Sequence, residues 1–335
     1  MMFRLRFFLI NGNVDTFVRW FGRSLEIEDC DPALYMSKYF FDRFEYNTEQ
    51  RLWLTWIYGT TYYWPTAYIV WNEFPDMELC GVDRLTDWNN TNYRRLRYQT
   101  DTKWNKGHLA EQFISYKKFV GDDSQYKALT RGFVGDPIKD FYTLWNTVNS
   151  FHKFGRYSSW FYIQALKQTC DIPVDVDSLW FHDYSGSRSH RNGMCYAVGK
   201  EDWIDQKLDK DQTDFLESKG KEILAEVKKR YPEVAHKADF FAMETVLCSF
   251  KKLFRRKHGR YLGYYLDRQA EEIKKVEEDG WDGIDWQPLW DARKETIQNK
   301  WLLDFVDKKL YNTFLDTKSF EPKDRTISNL ESFLQ

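Results

Sequence analysis

An all-α fold is what this sequence predicts, and three observations predict it. Apolar residues recur at helical spacing in one segment after another, each opened by a capping residue or closed by a breaker. No run alternates apolar and polar residues for long enough to build a sheet. No internal repeat and no low-complexity stretch interrupts the pattern.

The elements follow in chain order. In DPALYMSKYFFDRF, Asp31 and Pro32 suit a helix start, and Leu34, Tyr35, Tyr39, Phe41 and Phe44 give a broad apolar face. NTEQRLWLTWIYG comes next, with Asn47 or Thr48 as its cap and Gly59 as its expected stop. WPTAYIVWNEF restarts at Pro65 and runs to Pro75, which breaks it. Asp136 and Pro137 introduce IKDFYTLWNTV, and a further helix covers Ser158 to Leu166. Thr213 to Arg230 reads as a charged, solvent-facing helix, and longer helices fit Asp239 to Phe254 and Tyr261 to Glu278. Composition shifts are mild, so the expectation is one large helical unit over 1–317 with a hairpin core at about 136–200 and a loosely packed tail over 318–335.

With 335 residues the chain is long enough to bury a substantial core. Its 15 Trp, 21 Tyr and 26 Phe supply that core, and rings with polar handles also suit surfaces that grip a ligand. Lys and Arg total 49 against 51 Asp and Glu, which excludes a uniformly basic coat for nucleic acid and leaves only local patches. The five cysteines, Cys30, Cys80, Cys170, Cys195 and Cys248, are odd in number and scattered without a CxxC. They predict no disulfide framework and no metal, and fit a reducing cytoplasm. The apolar run FFLI is too short for a signal-peptide core, and no stretch approaches a membrane span.

Three constellations carry candidate chemistry. The first is FHKFGRYSSWFYIQALKQTCDIPVDVDSLW, residues 151–180. A helix ending near Asn149, a short hairpin with Lys153 and Gly155, and a helix starting at Arg156 to Ser158 would point free N–H groups and a positive dipole end at a phosphate. Lys153, Arg156, Tyr157 and Ser158 would join that DNA contact. The plainer reading is an ordinary link between packed helices. Asp175 and Asp177 follow Gly155 by 20 and 22 residues. The acids of VDVDSLW resemble the acid that follows the hairpin in helix-hairpin-helix DNA glycosylases, which implies a partly dehydrated proton acceptor; the plainer reading is that Asp177 caps a next helix, Asp177 to Phe181. Asp177 is the favoured acid and Asp175 the reserve.

METVLCSFKKLFRRKHGRYLGYYLDRQ is the second. Met243, Val246, Leu247, Phe250, Leu253 and Phe254 share an apolar face, which leaves Lys251, Lys252, Arg255 and Arg256 as a basic ridge. Lys257, His258 and Arg260 extend it. Phosphate binding is the sharper reading and a solvated helix end the plainer one. Glu244 precedes the ridge as a buried acid or as a salt-bridge partner. In the third, HDYSGSRSHRNGM, Arg188 and Arg191 would hold a phosphate with His190 as proton carrier. His182, His190 and Cys195 lack convincing metal spacing, and structural histidines are the plainer reading.

The VDVDSLW step after a hairpin glycine resembles the layout of helix-hairpin-helix DNA glycosylases, although the usual double-glycine hairpin is missing. FGRYSSWFYIQAL, PVDVDSLW, RSHRNGM and METVLCSFKKLF…RYLGYYLDRQ together resemble the phage amino acid:DNA transferases, also called alpha-glutamyl/putrescinyl thymine pyrophosphorylases, over roughly Leu34 to Arg293. The resemblance implies a glycosylase-like helical enzyme that binds duplex DNA and flips out a modified thymine. It would replace the phosphate of 5-phosphomethyl-deoxyuridine with the amine of a free amino acid or polyamine, after an upstream DNA kinase has installed that phosphate. It implies no organic cofactor. Carried onto this chain, the Gly155 hairpin holds DNA, Asp177, Asp175 or Glu244 is the base, and Arg188, Arg191 or the Lys251 to Arg256 ridge steadies the leaving phosphate. Tyr157 stands about where bifunctional glycosylases carry a lysine, so no lyase reaction is expected. The alternatives are a base-excision glycosylase and a non-catalytic helical DNA-binding protein.

Overall fold

The computed structural model describes residues 14–185, 188–253 and 262–297, apart from the side chains of Asp101 and Ile297. Helices succeed one another along the chain: α1 (Val14–Glu26), α2 (Pro32–Arg43), α3 (Thr48–Thr61), α4 (Trp64–Glu73), α5 (Val82–Asn92), α6 (Leu109–Val120) and α7 (Gln125–Leu129). They continue with α8 (Pro137–Asn149), α9 (Arg156–Cys170), α10 (Ser189–Val198), α11 (Lys210–Arg230), α12 (Phe240–Leu253), α13 (Tyr264–Glu278) and α14 (Gln287–Ile297). Short 3₁₀ segments lie at Thr100–Asn105, Glu201–Trp203 and Pro232–Lys237. Among the described residues there is no β-strand, and the fold is all-α.

Local chemistry sets most starts. Asp136 accepts hydrogen bonds from the N–H groups of Ile138 and Lys139, with Pro137 at the first helical position of α8. Asn47 and Gln50 form a reciprocal capping box at the start of α3. Gly59, expected to stop that helix, lies inside it. A Cβ there would fall 2.6 Å from the Tyr162 ring of α9, so the glycine serves close helix packing, and α3 ends instead at Tyr62 in the left-handed region. The charged helix α11 also departs from expectation, because Thr213, Leu216, Gly220, Ile223 and Val227 form a buried stripe along it.

Two compact units divide the chain. Within 14–32 and 176–268, the first unit joins α1, α10, α11 and α12 to the opening turn of α13. Phe17, Trp20, Phe250 and Leu247 are buried in its core, and Trp20 donates to Ser249 Oγ at 3.3 Å. Asp29 caps α13, accepting hydrogen bonds from the N–H groups of Gly263, Tyr265 and Leu266 at 3.0, 2.8 and 3.0 Å. Burial pushes its carboxyl up to about 8 against the pull of those three donors.

The second unit, 33–175 and 269–296, holds α2 to α9, the rest of α13 and most of α14. Its core is aromatic: Trp53 stacks on Trp56, and Trp56 on Tyr116, with centroids 5.1 and 4.9 Å apart. Arg97 pairs with Asp279 at 2.7 Å and Tyr63 donates to the Glu272 carbonyl at 3.3 Å, which fastens the 269–296 segment within this unit.

Candidate functional site

In the first unit α10 lies against α12 at unusually close range. Gly193 is the reason: a Cβ on it would meet the Leu247 carbonyl oxygen at 2.2 Å. That approach sets His190 of α10 beside Glu244 of α12, with Nδ1 3.5 Å from Oε1. On its other edge, His190 Nε2 is 3.1 Å from the Leu179 carbonyl oxygen, and the ring stacks on Phe181 at 5.5 Å between centroids. A carbonyl oxygen only accepts, so Nε2 carries a proton and the titrating nitrogen faces the carboxyl. The His190 side chain is buried while that of Glu244 stays 15 % exposed, so the acid is the member that reagents can reach.

Cys248, one turn further along α12, lies 3.6 Å from the Glu244 carboxyl; burial and that neighbouring acid push its thiol well up. Lys251 reaches back to α10, donating to Ser189 Oγ at 2.8 Å. Lys252 is half-buried, and Arg255, Arg256, Lys257, His258 and Arg260 lie outside the described residues, as do FFLI and the tail over 318–335.

The turn at 179–183, with Trp180 in the left-handed region, is held from both sides. Glu217 of α11 accepts from the N–H groups of Leu179 and Phe181 at 3.0 and 2.9 Å. Arg191 is buried, donates to the Phe181 carbonyl at 2.9 Å and lies 4.0 Å over the Tyr184 ring. Of the three side chains expected at a phosphate, Arg188 is therefore the exposed one, donating to the Asp205 carbonyl at 3.0 Å, while His190 and Arg191 hold backbone. Asp177 is exposed, and 177–181 has no helix for it to cap. Asp175 closes the second unit, half-buried and paired with Lys167 at 2.9 Å. Of the three candidate acids, Glu244 is the one beside a buried histidine.

The second unit contains the link from α8 to α9. Phe151 and Phe154 are buried and anchor it: Phe151 packs on Phe119 at 4.9 Å and Phe154 on Tyr162 at 5.6 Å. Lys153 is exposed with φ of 64°, a left-handed residue where the turn reverses. Gly155 is exposed too, nothing lies within 4 Å of a Cβ built on it, and no side chain caps α9. Arg156 and Tyr157 are half-buried, Tyr157 against Tyr62 at 5.8 Å. Ser158 is buried, and Ser159 donates to Asn149 across the link at 3.0 Å.

Sequence reasoning names His190 and Glu244 separately and misses Glu217 and Gly193. The signal for Gly193 was a glycine inside a helix, which marks close approach. Glu217 gave no signal, being one acid among many on a charged helix. Among the described residues no three His, Cys, Asp or Glu side chains converge as a metal site, and no helix is long and apolar enough to cross a membrane.

A serinyltransferase of Salmonella phage ViI is 26 % identical to this chain over 260 residues, which are 73 % of this chain and 63 % of the relative. The chain thus spans less than two thirds of that relative's length. No solved structure matches it. A family model described as amino acid:DNA transferase matches residues 28–258, a stretch that includes the α8–α9 link, both acids of 175–177 and the His190–Glu244 pair, and the chain belongs to that family.

Proposed function

We propose that this protein transfers an amino acid or polyamine onto DNA, and that the acceptor is a phosphorylated 5-hydroxymethyluracil base flipped out of the duplex. The observation that carries the reading is the His190–Glu244 pair, which lies inside the family-matched stretch. A donor amine reaches the enzyme as an ammonium and attacks only after losing a proton. Glu244 is the reachable base, and His190, fixed by the Leu179 carbonyl, stabilises the charge beside it. The amine lone pair forms the C–N bond to the 5-methylene carbon while the C–O bond breaks. Phosphate leaves with the bonding pair, and the new secondary ammonium returns its extra proton to water. Arg188, Lys251 and Lys252 are the cations that would steady that leaving group.

The exposed Lys153 and Gly155 and the uncapped start of α9 favour backbone contact with DNA, as in a helix-hairpin-helix. An upstream kinase acting on DNA is the class of enzyme that supplies the phosphorylated base. The name of the phage relative makes serine the first donor to test. The test is mass spectrometry of nucleosides from DNA carrying 5-phosphomethyl-deoxyuridine, after incubation with the protein and a pool of amino acids and polyamines. The expected product is an amine-bearing thymidine with release of inorganic phosphate. Free base and abasic sites would establish a glycosylase instead, and unchanged DNA with every amine in the pool would overturn the transferase reading.

A further inference from the structure

Far along the chain from the acids, the second unit exposes a tryptophan. Trp104 is 73 % exposed, against 42 % for Tyr142, the next most exposed ring among the described residues. Burying a ring of that size is worth several times burying an alanine, and leaving it in water on a short rigid turn is a cost that folding does not recover. The turn is rigid because Thr102 donates to the Thr61 carbonyl at 2.7 Å and Asn105 to the Thr60 carbonyl at 3.4 Å, so Trp104 is displayed from the end of α3.

Its surroundings are cationic. Lys103 Nζ lies 5.6 Å from the centre of the Trp104 ring, and Lys106, also exposed, donates to the Arg94 carbonyl at 2.9 Å beside the exposed Arg94. The same face continues into the α8–α9 link. The turn Thr100–Asn105 packs on α9, and His108 meets His152 of the link with ring centroids 6.3 Å apart. Tyr62, next to Thr61, packs on Tyr157 at the start of α9. Lys103, Lys106 and Lys153 therefore share one surface with an exposed ring and an uncapped helix start, and Glu111, 3.5 Å from His108, is the acid at its edge.

We infer that Trp104 is a base-stacking contact and that the surface from Lys103 to Lys153 is a DNA-binding face. The charge favours a polyanion, and the displayed indole stacks best on one with flat rings between its charges. An unstacked base next to an extruded nucleotide is the partner such a ring fits. The inference rests on the DNA-modifying reading and assigns the DNA a contact that the acids and the hairpin do not supply.

The test is titration of a fluorescently labelled duplex containing one unpaired thymine with the full-length protein and with Trp104→Ala, Trp104→Phe and the control Leu79→Ala. Leu79 is 79 % exposed and lies in the same unit, so it reports the effect of trimming any exposed apolar group. Trp104→Ala should weaken binding about tenfold, the loss of roughly one stacked base. Trp104→Phe should restore most of the affinity and Leu79→Ala none of the defect. Wild-type affinity in Trp104→Ala, with wild-type protein binding well, would overturn the inference and leave the DNA-modifying reading standing. No binding by the wild-type protein to this duplex or to DNA carrying the phosphorylated base would overturn both.

Discussion

Three acids were candidates for the proton acceptor, and their environments separate them. Asp177 is exposed, with no helix at 177–181 to place it. Asp175 is held in an ion pair with Lys167 at 2.9 Å. Glu244 alone combines partial burial with a buried histidine whose proton position is fixed by a backbone carbonyl. Glu244→Gln should lower turnover by about 10²- to 10⁴-fold, the usual range for general acid–base catalysis, with DNA affinity unchanged. Asp177→Asn should stay within a few-fold of wild type. Product formation by mass spectrometry beside duplex affinity for each variant checks this, and full activity in Glu244→Gln would move the base elsewhere. Glu217 acts through other groups: it orients the turn whose Leu179 carbonyl orients His190, so its loss should show in the pH profile of turnover as well as in its size.

At the scale of elements, the pair depends on how closely two helices approach. A methyl group at position 193 would collide with the Leu247 carbonyl oxygen, which is backbone and cannot rotate away. Gly193→Ala should therefore push α10 from α12, cost about 1–3 kcal/mol of stability and separate His190 from Glu244. Urea unfolding read beside turnover tests it: loss of activity larger than the loss of folded protein is expected, and full activity in a stable variant would show that the helices tolerate the shift. This coupling explains what was legible in the sequence. The caps at Asn47 and Asp136 are local, made by residues two or three apart, so their helices could be read from composition. Gly59 and Gly193 have the same signature as a helix stop, and only the ring of Tyr162 and the carbonyl of Leu247, brought from other helices, reveal them as contact glycines. The buried stripe of α11 was present in the spacing of Leu216, Ile223 and Val227 but diluted by its Lys, Asp and Glu. His190 was visible as a titratable residue in a Ser/Gly loop and Glu244 as an acid before the basic ridge, while their contact is a property of tertiary packing that no spacing encodes.

Across the whole molecule the charges nearly cancel, with a formal net charge of -2, so no overall field draws the protein to DNA. Affinity must come from patches, and each unit carries its own: Arg188, Lys251 and Lys252 in the first, Lys103, Lys106 and Lys153 in the second. Each phosphate neutralised by such a patch releases condensed counterions, so the patches can be counted by the dependence of affinity on salt. The logarithm of the binding constant should fall linearly with the logarithm of salt concentration, and each lost phosphate contact should flatten the slope by about 0.9. Replacing Lys251, Lys252 and Arg255 together by Gln should flatten it, and replacing Lys103, Lys106 and Lys153 together should flatten it independently. The two sets lie in different units, so their effects should add in the sixfold variant. An unchanged slope in the first set would remove the basic ridge from the DNA interface and return Lys251 to the structural role its hydrogen bond to Ser189 already gives it.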